Sequence, residues 1–177
     1  MSKHMLYIYG EPGVGKSTLV TALIGQAEPE TTTEPFAWAR FDNGVSYIGA
    51  FREEFPGTDA LALDVQPKVI AWLESYGPHL VLAEGDRLAN AKFFLGAQRL
   101  GYTLWPVQMV GKDLAAQRRR ERAQALGRKP QDAQWVRGRV TKCNALTKNF
   151  DAMQLHPSLE PEFLAKMLPG PVAAAFR

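Results

Sequence analysis

Gly10-Glu11-Pro12-Gly13-Val14-Gly15-Lys16-Ser17-Thr18 fits the phosphate-binding pattern G-x-x-x-x-G-K-[ST] at every fixed position. Met5-Leu6-Tyr7-Ile8-Tyr9 before it is a short apolar run of strand type, and residues 18–24 after it continue as a helix. The order strand, loop, helix suits the chemistry. Glycines let the backbone curl so that successive N–H groups point at phosphate oxygens, at the positive end of the following helix. Lys16 adds a mobile charge for the β- and γ-phosphates, and Ser17 a hydroxyl for Mg²⁺, which keeps most of its water. Gly10, Pro12, Gly13, Val14, Gly15, Lys16, Ser17 and Thr18 are therefore expected to bind a nucleoside triphosphate, with Ser17 as metal ligand.

The chain of 177 residues is long enough for one well-packed domain and short for two, so residues 1–177 are expected to share one core. No apolar run approaches the roughly 20 residues that span a bilayer, and because the N-terminus turns straight into the first strand no signal peptide is expected. Cys143 is the single cysteine; no internal disulfide is available, which suits a reducing, cytoplasmic compartment. Residues 112–148 carry eleven Lys/Arg against three Asp/Glu, a local balance of +8 in a chain whose net charge is +3. That block is either a functional surface or a solvated helical face.

Along the chain, residues 25–33 read as a loop. Two alternating aromatic segments, 36–41 and 45–51, flank Asp42-Asn43-Gly44 and predict a β-hairpin. Residues 52–61 lead into a helix ending at Ser75, with Pro67 tolerable only near its first turn. Thr58 and Asp59 are either caps or site residues. His79-Leu80-Val81-Leu82-Ala83 is a strand ending in Glu84-Gly85-Asp86-Arg87, the arrangement of an acidic strand beside a phosphate loop, where carboxylates orient metal, water or the attacking hydroxyl. Asp86 could instead cap the polar helix predicted to contain residues 89–100. His79 reads as a loop residue. Residues 102–110 form another strand, with a bulge expected at Pro106. Residues 112–126 and 132–147 form two basic helices around a break at 127–130, with Asp132 as a cap. A last strand is expected over 150–155, left through His156-Pro157, then a helix over 158–168 and a small-residue tail. Repeats, zinc spacings and nucleophilic triads are absent.

The fold class expected is α/β, a three-layer P-loop NTPase with a mainly parallel sheet, a β-hairpin insertion and a basic helical lid over 112–148. A GTPase should carry an N-K-x-D segment after a later strand, and neither Thr141-Lys142-Cys143-Asn144 nor Thr147-Lys148-Asn149-Phe150 fits. Large ATP-driven motors need more chain. The phosphate loop, the acidic strand end and Gln117-Arg118-Arg119-Arg120-Glu121-Arg122 together resemble the small nucleoside and nucleotide kinases. The resemblance implies that the basic arm closes over the triphosphate, with Arg118 and Arg122 serving catalysis and Arg119 the bound nucleotide.

Gly57-Thr58-Asp59-Ala60-Leu61, Gln66-Pro67-Lys68 and Arg137-Gly138-Arg139-Val140-Thr141-Lys142 are similar to segments of bacteriophage P-loop kinases that phosphorylate 5-hydroxymethyluracil in DNA during thymidine hypermodification. That similarity implies ATP and Mg²⁺ as cofactors and a DNA acceptor. It further implies Asp59 as base at the acceptor hydroxyl, with Glu84 and Asp86 sharing metal and water positioning and Asp86 a metal ligand. Asp42 is the rival base, as in polynucleotide kinases with an acid after their second strand. Trp38, Tyr47 and Trp135 either stack on a displaced base or pack in the core. The alternatives are a kinase of free nucleosides or nucleoside monophosphates, and a non-catalytic NTP-binding regulatory or nucleic-acid-binding module.

Overall fold

The computed structural model describes residues 2–25, 28–51, 56–158, 161–168 and 170–174. The expected loop segment 52–55 lies outside the described residues. Among the described residues, β1 (Lys3–Gly10) is the middle one of five parallel strands in a seven-stranded sheet. Its neighbours are β5 (Leu80–Glu84) on one side and β6 (Tyr102–Met109) on the other, both parallel to it. Beyond β5 lies β4 (Val45–Ile48), parallel; beyond β6 lies β7 (Met153–Leu155), also parallel. β3 (Trp38–Arg40) and β2 (Glu30–Thr32) extend the β4 edge as antiparallel strands, giving the order β2-β3-β4-β5-β1-β6-β7.

A central parallel strand is buried on both faces, and the sequence of β1 divides between two cores at a period of two. Met5, Tyr7 and Tyr9 pack against α2 (Gln66–Ser75), α3 (Ala91–Arg99) and α5 (Ala133–Phe150). Leu6 and Ile8 pack against α1 (Lys16–Ile24), α6 (Pro161–Met167) and α7 (Gly170–Ala174). The result is the three-layer P-loop NTPase fold, with α4 (Lys112–Ala125) and α5 as the two basic helices.

Several local expectations change. The predicted hairpin forms, but residues 30–32 of the supposed loop add a third antiparallel strand to it. Pro106 causes no slip: β1 and β6 stay in register from Lys3↔Tyr102 to Gly10↔Met109. β7 begins only opposite Val107, so at Pro106 the outer side of β6 has no strand neighbour and needs no N–H there. Phe150 ends α5, and the last strand starts at Met153 because Asp151 turns the chain in the left-handed region (φ 48°). The helix expected from 158 starts at Pro161, and the small-residue tail folds as α7, burying Val172 and Ala173. Asp86 caps nothing: Asn90 is the N-cap of α3, its side chain accepting from Phe93 N–H at 3.0 Å.

Candidate active site

The register sets the site. Ile8 pairs with Glu84 and Gly10 with Met109, so β1, β5 and β6 end at one level and their carboxyl ends form the floor of a cleft. The phosphate loop leaves β1 there. Gly13 and Gly15 hold φ of 84° and 99°, conformations that an L side chain resists, and a Cβ on Gly13 would lie 2.8 Å from the Ala115 carbonyl. Gly15 is also the N-cap of α1, and no side chain caps the helix, which leaves its first-turn N–H groups to an anion. Lys16 Nζ donates to the carbonyls of Gly10 and Glu11, both at 3.2 Å.

Of the three α4 arginines expected in the site, Arg118 and Arg119 reach this loop. The Arg118 guanidinium lies over Gly15, where an added Cβ would sit 2.8 Å from its Nη1. Arg119 Nη1 donates to Glu11 Oε2 at 2.8 Å and to the Pro12 carbonyl at 2.7 Å. Arg122, one turn further along α4, is exposed.

Glu84 is buried beside the loop. Burial pushes its carboxyl pKa above the ordinary 4.5; a hydrogen bond from Ser17, the charge of Lys16 and the Tyr47 hydroxyl pull it back, while the charge of Asp59 adds to the rise. Tyr47 Oη donates to Glu84 Oε1 at 3.5 Å. A cavity of about 300 Å³ opens here, lined by Ser17, Val20, Thr21, Tyr47, Phe51, Pro56 and Glu84. The Tyr47 and Phe51 rings stack with centroids 4.7 Å apart and planes 21° apart. Tyr47 is thus both core residue and cavity wall. Trp38 packs on Trp72 and Tyr76 instead, and Trp135 stays exposed with the Arg139 guanidinium 5.0 Å from its ring.

Asp59 and Asp86 stand behind Glu84. Asp59 Oδ1 accepts from the main-chain N–H groups of Asp86 at 2.9 Å and Arg87 at 3.0 Å, fixing the turn after β5. Thr58 is fully buried with its hydroxyl 3.2 Å from Tyr7 Oη, under the same turn. Asp86 pairs through its carboxylate with Arg139 and with Lys142, the latter at 3.0 Å. Asp42 lies in the turn that precedes β4, at the amino end of the parallel strands, and the fold does not bring it to the cleft.

Arg139, Lys142 and Glu11 were not among the residues expected in the site. Glu11 occupies a variable position of the loop pattern, so the pattern carries no sign of it. Arg139 and Lys142 fall inside the basic segment 137–142, where only the fold shows which side chains turn inward. Among the described residues no group of three or more His, Cys, Asp or Glu side chains could hold a metal ion. The Ser17 hydroxyl at the end of the phosphate loop fits Mg²⁺, a hard cation that takes few protein ligands.

A phosphate loop facing an acid-ended neighbouring strand under a basic two-helix arm defines a P-loop kinase of the nucleoside and nucleotide type. The chain belongs to the P-loop Nucleotide Kinase3 family, whose model matches residues 1–159, a span that includes the loop, the strand-end acids and both basic helices. Nucleotide binding and phosphoryl transfer follow from that membership. No curated protein matches the chain. No helix of the described residues is long and apolar enough to cross a membrane.

Proposed function

We propose that the protein transfers the γ-phosphoryl group of ATP to the hydroxymethyl oxygen of 5-hydroxymethyluracil within DNA. The observation that carries this is the cavity in which Ser17 and buried Glu84 face the stacked rings of Tyr47 and Phe51. An aromatic wall suits a flat base taken out of its stack, and a carboxylate at the phosphate-loop side of the same cavity suits the hydroxyl that base carries. The +8 balance of residues 112–148 supplies the attraction that a DNA backbone needs.

Under this proposal Glu84 accepts the hydroxyl proton, a role suited to a carboxylate whose burial makes it more basic. Asp59 then braces the turn after β5 in place of the base role that the resemblance implied. The acceptor oxygen bonds to the γ-phosphorus as the bond to the β,γ-bridging oxygen breaks, and ADP leaves. Lys16, Arg118 and Arg119 hold the phosphate chain in line. Mg²⁺, bound with the nucleotide and held by Ser17, would neutralise phosphate charge.

The test presents ATP labelled at the γ-phosphate to free nucleosides, mononucleotides, plain DNA and DNA containing 5-hydroxymethyluracil. Label is expected only in the modified DNA. Label confined to mononucleotides would replace the DNA acceptor with a free nucleotide. Nucleotide binding without transfer to any acceptor would make the chain a non-catalytic module.

A further inference from the structure

α5 contains one glycine, Gly138. A glycine inside a helix is destabilising relative to alanine, because its backbone loses more freedom on folding. An added Cβ at Gly138 would meet no atom within 4 Å, whereas at Gly96 of α3 it would lie 2.8 Å from Ile70 Cδ1, where α2 and α3 pack. Packing explains Gly96 and leaves Gly138 without a role in the fold. A bare helix surface does allow another molecule to approach the backbone closely.

The residues around Gly138 carry nucleic-acid chemistry. Trp135, Gly138, Arg139 and Lys142 fall at i, i+3, i+4 and i+7, one stripe of α5 about 10 Å long. Trp135 belongs to neither hydrophobic core, is 42% exposed, and has the Arg139 guanidinium 5.0 Å from its ring centroid. Arg139 and Lys142 each keep about a third of the side chain exposed (34% and 35%), with N–H donors to spare. Asp86 fixes where the stripe lies. Arg139 pairs with its carboxylate, and Lys142 Nζ donates to Oδ1 and to the Asp86 carbonyl, each at 3.0 Å. Asp86 is two residues past Glu84, a wall of the acceptor cavity, so the stripe runs beside the acceptor end of β5.

We propose that Trp135, Gly138, Arg139 and Lys142 form a surface for single-stranded DNA flanking the acceptor base, an inference that rests on DNA as the acceptor. Trp135 offers a face on which any base stacks, and the Arg139 guanidinium extends that platform while donating to phosphate. Lys142 adds a point charge for the strand backbone, and Gly138 lets the strand lie against the helix. The stripe matches the length of about three nucleotides at about 3.4 Å each. A protein partner would call for a broader apolar face; here one indole stands among cations, in a segment whose charge balance is +8. Taking the acceptor base out of its stack also opens the neighbouring bases to an aromatic side chain.

Fluorescence anisotropy of the full chain with a dye-labelled, unmodified DNA single strand of about 12 nucleotides tests it, beside the same sequence as a duplex. Trp135→Ala is expected to weaken single-strand binding about tenfold, and Trp135→Phe only about twofold. Gly138→Ala is expected to weaken it about fivefold while raising the melting temperature, a combination that a merely structural glycine does not give. Arg139→Gln and Lys142→Gln should each lower the slope of log affinity against log salt by about one. Affinity for β,γ-imido-ATP should stay within about twofold of wild type in Trp135→Ala and Gly138→Ala, showing an intact fold. Single-strand affinity as in wild type in both of those variants overturns the surface, as does duplex binding as tight as single-strand binding. Failure of the DNA acceptor itself would appear in the labelled-acceptor experiment, with label confined to mononucleotides. Failure of the surface alone would appear as Trp135→Ala labelling modified DNA at the wild-type KM.

Discussion

Arg119 of α4 donates from one nitrogen to both the Glu11 carboxylate, at 2.8 Å, and the Pro12 carbonyl, at 2.7 Å. A helix from the second half of the chain is thereby fastened to the phosphate loop itself. Both side chains of the ion pair are largely buried, 16% and 9% exposed, so solvent screens it little. Helix α4 is consequently coupled to the phosphate loop by the fold itself.

Arg119→Ala should lower stability by about 2 kcal/mol, because the Glu11 carboxylate keeps its burial and loses its partner. A double-mutant cycle with Glu11→Gln, measured by urea denaturation, should give a coupling of about 1 kcal/mol or more. Additive losses would show that the two residues act separately.

Lys16→Ala should leave the fold intact, since its ammonium donates to two loop carbonyls at 3.2 Å and otherwise acts on Glu84 through charge alone. Phosphoryl transfer should fall by a factor of about 100 or more, the scale for removing one group that stabilises transition-state charge. Near-normal turnover in a γ-phosphate transfer assay would exclude this loop as the catalytic site.

Glu84→Gln separates stability from chemistry. Folding raises the Glu84 pKa above 4.5, so the folded protein holds this proton more tightly than the unfolded chain. The stability so conferred is complete below the unfolded value and is lost as pH rises through the folded one. Ionised Glu84 therefore costs stability at neutral pH, and the amide is expected to raise stability at pH 7 while abolishing transfer. Melting curves between pH 4 and pH 8 should show a smaller decline for the variant. The wild-type rate should fall on the acidic side with an apparent pKa above that of an ordinary carboxylate.

Gly57→Ala probes the loop that underlies Glu84. Gly57 holds φ 67°, and a Cβ there would lie 2.6 Å from the Glu84 carbonyl and 2.7 Å from Glu84 Cγ. Both strain and overlap oppose the methyl group, so a loss of about 1–3 kcal/mol is expected, with a loss of transfer that exceeds it. A variant of wild-type stability and rate would show that the loop tolerates displacement of Glu84.

The donor half of the site was legible in the amino-acid order because it is local. Residues 10–17 are contiguous, the strand before and the helix after are visible as apolar periods, and the loop chemistry depends on backbone N–H groups that any such segment provides. The acidic end of β5 was legible for the same reason, and so were both basic helices, with Asp132 capping α5 as its position predicts. Which partners each acid meets was decided by the tertiary structure alone. Glu84 and Asp86 are two apart on one strand end, yet one meets Ser17 and the aromatic cavity while the other meets Arg139 and Lys142. Asp42 and Asp59 are equally acidic in sequence, but the strand directions put the first at the amino end of the sheet and the second beneath the cleft. Charge is written residue by residue; the partner that gives a charge its role is set by parallel strands meeting in register and by helices returning across more than 50 residues of chain.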